Sequence, residues 1–241
     1  MGRNPSESPQ ECNSRGLYPK ERGDNARNTG GGQVIVLALD VYEGERAIKI
    51  AKSVKDYISM IKVNWPLILG SGVDIIRRLK EETGVEIIAD LKLADIPNTN
   101  RLIARKVFGA GADYVIVHTF VGRDSVMAVK ELGEIIMVVE MSHPGALEFI
   151  NPLTDRFIEV ANEIEPFGVI APGTRPERIG YIRDRLKEGI KILAPGIGAQ
   201  GGKAKDAVKA GADYIIVGRA IYNAPNPREA AKAIYDEIRG V

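Results

Sequence analysis

The chain has 241 residues, of which 44% are hydrophobic, and its 33 Lys and Arg residues nearly balance its 32 Asp and Glu residues. This length suits one α/β barrel, which commonly needs about 250 residues, and the balanced charge offers no basic surface for nucleic acid. The apolar runs are too short to cross a bilayer, no secretory pattern opens the chain, and the single Cys12 excludes a disulfide framework, so we expect a cytoplasmic protein that binds neither nucleic acid nor membrane.

Residues 1–33 differ in composition from the remainder of the chain. Few of them are apolar, and Asn, Ser, Pro, Gly and charged residues predominate. Such a segment buries too little surface to offset the entropy that it would lose on ordering. We therefore predict a disordered polar tail at 1–33 and a single catalytic barrel domain at 34–241.

From Val34 onward, short β-branched runs alternate with amphipathic stretches of helical period. The pattern predicts eight strands, at Val34–Asp40, Ile58–Asn64, Val85–Lys92, Tyr114–His118, Ile135–Met141, Gly168–Ala171, Ile190–Pro195 and Tyr214–Gly218. It predicts a helix after each strand, at 44–56, 67–82, 97–109, 123–132, 153–164, 175–187, 203–210 and 227–239. Strict alternation is typical of parallel sheets, and eight such units close into a (β/α)8 TIM barrel.

An internal echo supports the barrel. Gly109-Ala-Gly-Ala-Asp-Tyr-Val-Ile-Val117 recurs one hundred residues later as Lys209-Ala-Gly-Ala-Asp-Tyr-Ile-Ile-Val217. Both copies lead from a predicted helix into a buried strand, and four βα units in that distance amount to half a barrel. The regular spacing argues against a doubly wound sheet.

Charged residues gather where the first three predicted strands end. These residues are Asp40, Lys62, Asp90 and Lys92, and the two-residue period of a strand puts Asp90 and Lys92 on one face, with Leu91 facing the helices. Catalytic groups in such barrels come from the C-terminal strand ends. The alternative is a set of ion pairs that only plugs the barrel mouth, where unpaired charges are costly.

Glycine-rich turns after the last two strands suit a phosphate. Strand 7 is followed by Pro195-Gly196-Ile197-Gly198-Ala199-Gln200-Gly201-Gly202, and strand 8 by Gly218-Arg219. Glycines let backbone N–H groups approach an anion, and these two loops are the usual phosphate cradle of the fold. Residues 196–201 also match the dinucleotide motif GxGxxG, but that motif requires an acidic residue at the end of the next strand, where this chain has Gly218-Arg219.

The two histidines of the chain are not expected to be catalytic. His118 ends strand 4 and is expected to be a structural or pocket-wall residue. Ser142-His143 is not a hydrolase pair, because adjacent residues at a strand end point apart and no nucleophile elbow surrounds them.

The segment Asp90-Leu-Lys92-Leu-Ala-Asp95-Ile96-Pro97-Asn98-Thr99 resembles the signature of the orotidine 5′-phosphate decarboxylase family. Its D-x-K-x-x-D core is shared with sister decarboxylases and aldolases, whereas the continuation Ile-Pro-x-Thr is much more specific. The resemblance runs from about Val34 to the C-terminus and fits the compact archaeal or bacterial form. It also includes Leu39-Asp40, Lys62 and the segments 141–146, 174–178, 195–202 and 217–222.

The resemblance implies decarboxylation of orotidine 5′-monophosphate to uridine 5′-monophosphate, a step of de novo pyrimidine biosynthesis, without metal or organic cofactor. It implies that Asp40 and Lys62 contact ribose hydroxyls and join the charged network. It also implies that Asp90 lies beside the departing carboxylate and that Lys92 protonates the ring carbon left behind.

The remaining implied roles concern substrate binding and assembly. Ser142 contacts the pyrimidine edge, and the phosphate end of the substrate is bound by Pro195, Gly196, Ile197, Gln200, Gly218 and Arg219. The resemblance further implies a homodimer with a shared active site, which Asp95, Ile96 and Thr99 of the partner subunit complete.

The chemistry makes independent sense of the charged residues. Loss of CO2 from a pyrimidine ring leaves a carbanion with no neighbouring electron sink, so fixed charge must stabilise it when no cofactor does. A lysine ammonium at that carbon stabilises the negative charge and then donates the proton.

Two alternatives stand beside this interpretation. A metal-dependent ketogulonate-phosphate decarboxylase or hexulose-phosphate synthase needs an acidic metal ligand around strand 2, where this chain has Lys62, and a His-x-x-Arg pair, where it has His143-Pro-Gly-Ala146. A catalytically silent barrel that senses a nucleotide usually lacks one of the charged residues, and here none is missing.

Overall fold

The computed structural model describes residues 34–240, which form a closed barrel of eight parallel strands in sequential order. The strands are β1 (Ile35–Leu39), β2 (Met60–Asn64), β3 (Glu86–Leu93), β4 (Tyr114–His118), β5 (Glu134–Val138), β6 (Gly168–Ile170), β7 (Lys191–Pro195) and β8 (Tyr214–Val217). Closure comes from β8, which pairs with β1 as well as with β7. The predicted (β/α)8 fold is confirmed, whereas the predicted tail at 1–33 lies outside the described residues.

Helices surround the strands over the same described range. They are α1 (Gly44–Val54), α2 (Trp65–Ser71), α3 (Ile75–Thr83), α4 (Pro97–Gly109), α5 (Arg123–Lys130), α6 (Ala146–Phe149), α7 (Thr154–Ile164), α8 (Pro176–Arg183), α9 (Ala204–Lys209), α10 (Arg219–Tyr222) and α11 (Pro227–Ile238). Short 3₁₀ turns lie at Lys55–Tyr57, Thr119–Val121 and Asn151–Leu153. Among these described helices, none combines the length and the apolar character that a membrane span requires.

The strands are hydrophobic along their whole length because both of their faces are buried. In β1, Ile35, Leu37 and Leu39 pack in the layer between sheet and helices, while Val36 and Ala38 face the barrel interior. The interior layer is completed by apolar side chains of the other strands, among them Met60, Ile88, Ile116, Ile136, Val138, Ile170, Leu193 and Ile216. The barrel is therefore a packed core and not a pore, and a ligand can enter only at an end.

The second predicted helix is two helices. A single helix was expected at 67–82, but α2 ends at Ser71 and α3 begins at Ile75. Gly72 separates them with a φ of 76°, a left-handed conformation that favours glycine, and its N–H donates to the carbonyl of Ile68 at 2.8 Å.

Other boundaries differ by a few residues. The strand predicted to end at Met141 ends at Val138, which pairs with the last residue of β6, Ile170, and the chain then leads into the short helix α6. The four-residue helices α6 and α10 were not predicted, since four residues are too few to show a helical period.

The sequence echo corresponds to a repeated contact in the two halves of the barrel. Asp113 accepts a hydrogen bond from the backbone N–H of Ile87 at the start of β3, at 2.8 Å. Asp213 accepts from the N–H of Ile192 at the start of β7, also at 2.8 Å. Equivalent aspartates in the two copies of the echo thus fix the starts of two strands that lie four strands apart.

Candidate active site

The C-terminal strand ends surround an open cavity of about 480 Å³. Most of the predicted site residues line it, namely Asp40, Lys62, Asp90, Lys92, Ser142, Pro195, Gly196, Ile197, Gln200, Gly218 and Arg219. Its other lining residues had no predicted role, namely Ala38, Asn64, Ile116, Val138, Met141, Ile170, Ala199, Ile216 and Tyr222. The structure therefore brings the charged strand ends and the glycine-rich turns to one cavity.

A chain of charges crosses three adjacent strands. The Nζ of Lys62 lies 2.6 Å from one carboxylate oxygen of Asp90, and the Nζ of Lys92 lies 2.7 Å from the other. Lys62 also lies 3.9 Å from the nearer oxygen of Asp40. Adjacent strands stand about 4.8 Å apart, so side chains that point inward from the ends of β1, β2 and β3 meet in this way.

Burial and ion pairing shift the pKa values of Lys62 and Asp90 in opposite directions. Burial alone would lower the pKa of Lys62, but Asp90 and Asp40 raise that pKa above its ordinary value. Burial would raise the pKa of Asp90, but Lys62 and Lys92 lower it to about 2. At neutral pH the site therefore holds an ionised Asp90 hydrogen-bonded to two lysines.

Lys92 stands in a strained stretch of β3. Ala89 pairs with Val115 of β4 and Leu93 pairs with Val117, so β3 advances four residues while β4 advances two. Lys92 has a φ of 44°, which is uncommon for a residue other than glycine. Asp90 and Lys92 do share a side, but through this bulge and not through the regular two-residue period that the sequence suggested. Such strain persists only where surrounding contacts hold it.

Asn64, at the end of β2, is a site residue that the sequence analysis missed. Its Nδ2 donates to Asp40 at 2.6 Å, while its buried Oδ1 has no hydrogen-bond partner among the described residues. It lies two residues after Lys62, so the period of a strand directs both side chains inward. That spacing was the available signal for Asn64.

The floor of the cavity is apolar. It is formed by interior residues near the ends of four strands, which are Ile116, Val138, Ile170 and Ile216. A flat apolar ring is suited to such a surface, whereas the charged network stands at the cavity edge on β1 to β3. The sequence analysis selected only polar strand ends and so passed over this floor.

The turn after β7 is shaped by glycines. Gly196, Gly198 and Gly201 have φ values of 99°, 74° and 91°. A Cβ on Gly196 would also lie 2.9 Å from the methyl group of Thr174. The turn folds back on itself, since Gly202 donates to the carbonyl of Gly196 at 3.1 Å. This tight turn, with Gln200 on it, lies on the same cavity as Gly218 and Arg219 at the start of α10.

Two loops meet across the cavity through Ser142. Its hydroxyl donates to the side-chain oxygen of Gln200 at 3.0 Å and so links the loop after β5 to the turn after β7. Arg175 donates to the carbonyl of Met141 at 2.8 Å from behind the loop. The position of Ser142 is thus fixed from both sides.

A buried carboxylate anchors the same loop. Glu140 is fully buried and accepts from Thr154 at 2.8 Å and from the Nε of Arg178 at 2.9 Å. Its N–H donates to the carbonyl of Ile170 at 3.1 Å. The sequence analysis missed this anchor, because a lone glutamate near the end of a predicted strand gives no sign of its distant partners.

Asp95, Ile96 and Thr99 do not line the cavity of their own chain. The carboxylate of Asp95 accepts from the next backbone N–H, that of Ile96, at 2.7 Å, and the carbonyl of Asp95 accepts from Ser125 at 2.6 Å. The side chain of Ile96 is 64% exposed. These residues therefore form a firmly held, outward-facing turn at the start of α4.

His118 packs as a structural residue. Burial and the charge of Lys92 lower its pKa to about 4, so the ring is neutral at neutral pH. The ring packs against Phe120 with 4.7 Å between centroids. Within residues 34–240, no group of three or more His, Cys, Asp or Glu side chains is arranged to hold a metal ion.

Comparison with known proteins gives consistent matches. A model described as the orotidine 5′-phosphate decarboxylase / HUMPS family matches residues 33–234. A Pyrococcus abyssi protein named orotidine 5′-phosphate decarboxylase is 80% identical over 207 residues, which are 86% of this chain and 100% of that protein. A Methanosarcina mazei protein of the same name is 51% identical over 210 residues, which are 85% of this chain and 94% of that protein.

A solved structure shares the fold over nearly its whole length. It is orotidine 5′-monophosphate decarboxylase from Methanocaldococcus jannaschii, complexed with the inhibitor BMP. Its TM-score is 0.81 and its sequence identity 44%, with 85% of this chain and 97% of that chain covered.

Proposed function

Because this chain belongs to the orotidine 5′-phosphate decarboxylase family, an enzyme family, we propose that it converts orotidine 5′-monophosphate to uridine 5′-monophosphate through its Asp–Lys network. The observation that carries the proposal is Asp90, buried and hydrogen-bonded at 2.6 and 2.7 Å to Lys62 and Lys92. Fixed charge of this kind can stabilise a carbanion without metal or organic cofactor.

The proposed step breaks the bond between the substrate carboxylate and the pyrimidine ring. CO2 leaves, and the electron pair stays on the ring carbon. The ammonium group of Lys92 stabilises this developing charge and gives the carbon its proton, after which the amine regains a proton from water. Asp90 disfavours the substrate carboxylate beside it and holds Lys92 toward the ring.

The remaining polar groups would bind the parts of the substrate that do not react. Asp40 and Lys62 bind ribose hydroxyls, and Ser142 contacts the pyrimidine edge above the apolar floor. The phosphate is held by Gln200, Gly218 and Arg219 and by the backbone of the turn that contains Pro195, Gly196 and Ile197. Binding energy from the phosphate can organise the loops around the reacting carbon.

A second copy of the chain would complete the site. Asp95, Ile96 and Thr99 do not line the cavity of their own chain, which supports a role in the partner subunit's site. Exposed apolar side chains nearby support pairing, namely Ile96 just before α4, Leu102 on α4, Phe120 in the turn after β4 and Met127 on α5. We therefore propose a homodimer with shared active sites.

Loss of orotidine 5′-monophosphate, followed by ultraviolet absorbance with purified full-length protein, tests the proposed function. We expect full turnover in EDTA and no gain from added Mg²⁺. Turnover that stops in EDTA would identify a metal-dependent sister enzyme. Binding of uridine 5′-monophosphate without any turnover would identify a nucleotide sensor, and either result would overturn the proposal.

A further inference from the structure

We infer that Trp65 is a positioning residue for Lys92, acting through the peptide bond that precedes this lysine. The inference rests on the proposed function, in which Lys92 delivers the proton. The indole Nε1 of Trp65 donates to the carbonyl of Leu91 at 3.0 Å. That carbonyl belongs to the peptide unit that joins Leu91 to Lys92, so the bond restricts the rotation that sets the φ of Lys92.

The bulge leaves this peptide unit with little support from the sheet. Leu91 lies beyond the last pair of β2 with β3, Asn64 with Asp90, and inside the interval in which β3 is out of register with β4. Lys92 is held there at a φ of 44°. A strained conformation of this kind persists only where surrounding contacts over-determine it.

Leu91 is held from two directions. Its side chain is 4% exposed and packs in the layer between sheet and helices. Its carbonyl is fixed by Trp65, the first residue of α2. With the side chain and the carbonyl of Leu91 both fixed, Lys92 is held so that its side chain extends to the cavity, where its Nζ donates to Asp90 at 2.7 Å.

The end of β2 therefore organises the whole charged network. Lys62 pairs with Asp90, Asn64 donates to Asp40, and Trp65 fixes the residue before Lys92. Trp65 itself does not line the cavity, and its side chain is 42% exposed. Its effect on catalysis would thus pass through Lys92 and would lower kcat, while substrate affinity, which depends on other groups, would change little.

The chain contains a single tryptophan, so replacing tryptophan throughout the protein with an analogue alters only Trp65. We would compare the full-length protein containing 5-fluorotryptophan, which keeps the N–H, with one containing 3-benzothienylalanine, which has the same shape with sulfur in place of the N–H. Trp65→Phe is the genetic counterpart. Ser71→Ala is a control on the same helix, because it removes another bond from a side chain to a carbonyl, that to Tyr42 at 2.8 Å.

We expect the benzothienylalanine protein to lose about tenfold in kcat, as one hydrogen bond worth about 1.4 kcal/mol in the transition state would give. KM, the Kd of uridine 5′-monophosphate and Tm should stay close to those of the unlabelled protein, and the 5-fluorotryptophan and Ser71→Ala proteins should keep their kcat. Trp65→Phe should reproduce the loss.

Unchanged kcat with verified incorporation would overturn the inference. A loss of kcat accompanied by matching losses of nucleotide affinity and Tm would also overturn it, because the bond would then support only the fold. Absence of turnover in the unlabelled protein would instead overturn the proposed function, and the inference with it.

Discussion

At the scale of single residues, the charged network depends on Asp90. Each of its carboxylate oxygens accepts from a different lysine, and its side chain is buried. Removing the charge of Asp90 would leave Lys62 buried beside a second lysine with only the more distant Asp40 to offset it. Breaking a buried pair in this way typically costs about 3–5 kcal/mol.

Asp90→Asn should therefore destabilise the protein at neutral pH and flatten the acid limb of its stability curve. Because its folded pKa is lowered to about 2, Asp90 stabilises the fold above its ordinary pKa of 3.8, and this contribution disappears as pH falls from 3.8 toward 2. Lys62 has a raised pKa, so its contribution is present below 10.5 and is lost above that value. Urea unfolding across pH 2–7 should show an acid loss about 2 kcal/mol larger in the wild type than in the variant.

The control for this measurement is Asp236→Asn, which breaks an exposed pair with Lys232 and should leave stability nearly unchanged. If the free energies of unfolding of the wild type and of Asp90→Asn fall in parallel below pH 4, then the lysines do not hold Asp90 ionised.

Asn64→Ala should reduce activity by releasing Asp40. The bond from the Asn64 amide to the Asp40 carboxylate is 2.6 Å long, and a bond to a charged group is worth about 1.5–3 kcal/mol. We expect kcat/KM to fall by at least about tenfold, and further in Asn64→Asp, where two carboxylates would face each other. The control Asn162→Ala removes a bond to the carbonyl of Arg185 on the outside of the barrel. Wild-type kcat/KM in Asn64→Ala would show that Asp40 needs no such support.

The residue scale also marks the limit of what the sequence predicted. Asp40, Lys62, Asp90 and Lys92 were identifiable because charged side chains at strand ends are unusual, and all four do line the cavity. Asn64 was missed although its spacing from Lys62 was visible, since a neutral amide is less conspicuous than a charge at a strand end. Trp65 was missed because an aromatic residue at the start of a helix carries no comparable signal. The role of Trp65 depends on the bulge in β3, and the period of a strand contains no information about a bulge.

At the scale of elements, the loop after β5 depends on an ion pair that the helices supply. Glu140 is fully buried, and Arg178 on α8 and Thr154 on α7 donate to it. The pair holds the strand end from which Met141 and Ser142 extend over the cavity. Sequence patterns predicted the helices but could not pair a residue of one loop with an arginine 38 positions later.

A double-mutant cycle on Glu140 and Arg178 should measure this anchor. We expect Glu140→Ala and Arg178→Ala to couple by about 1–3 kcal/mol in urea unfolding, because each single change leaves the other charge without its partner. The exposed pair Lys52 and Glu82, 2.6 Å apart, is a control that should show much weaker coupling. Additive effects of the two substitutions would rule out an energetic anchor.

The boundaries of elements were the weaker part of the sequence prediction for a physical reason. The hydrophobic period of a sequence shows which face of a helix is buried, but it does not show where the helix ends. The break between α2 and α3 depends on one left-handed residue, Gly72, within an otherwise helical pattern. The glycine was visible in the sequence, yet a glycine within a helix is tolerated often enough to leave the prediction undecided.

At the scale of the whole molecule, the shared site can be tested by mixing two inactive proteins. If Asp95 acts in the partner subunit's site, a mixed dimer of Asp95→Asn and Lys92→Ala chains has one site with both lesions and one with neither. Equal random mixing should therefore restore about one quarter of wild-type activity, as two-fold symmetry requires. Subunit exchange verified by mass without any return of activity would place Asp95 in its own chain's site.

Whether Lys92 delivers the proton is tested most directly by the rate of Lys92→Ala in EDTA, with Tm and uridine 5′-monophosphate binding measured on the same preparation. A general acid contributes about 10²–10⁴-fold, and Lys92 also stabilises the carbanion, so we predict a loss of more than about a thousandfold in kcat with the fold retained. A folded Lys92→Ala protein that kept more than about a tenth of the wild-type rate, a loss below about 1.4 kcal/mol, would contradict a Lys92-dependent mechanism.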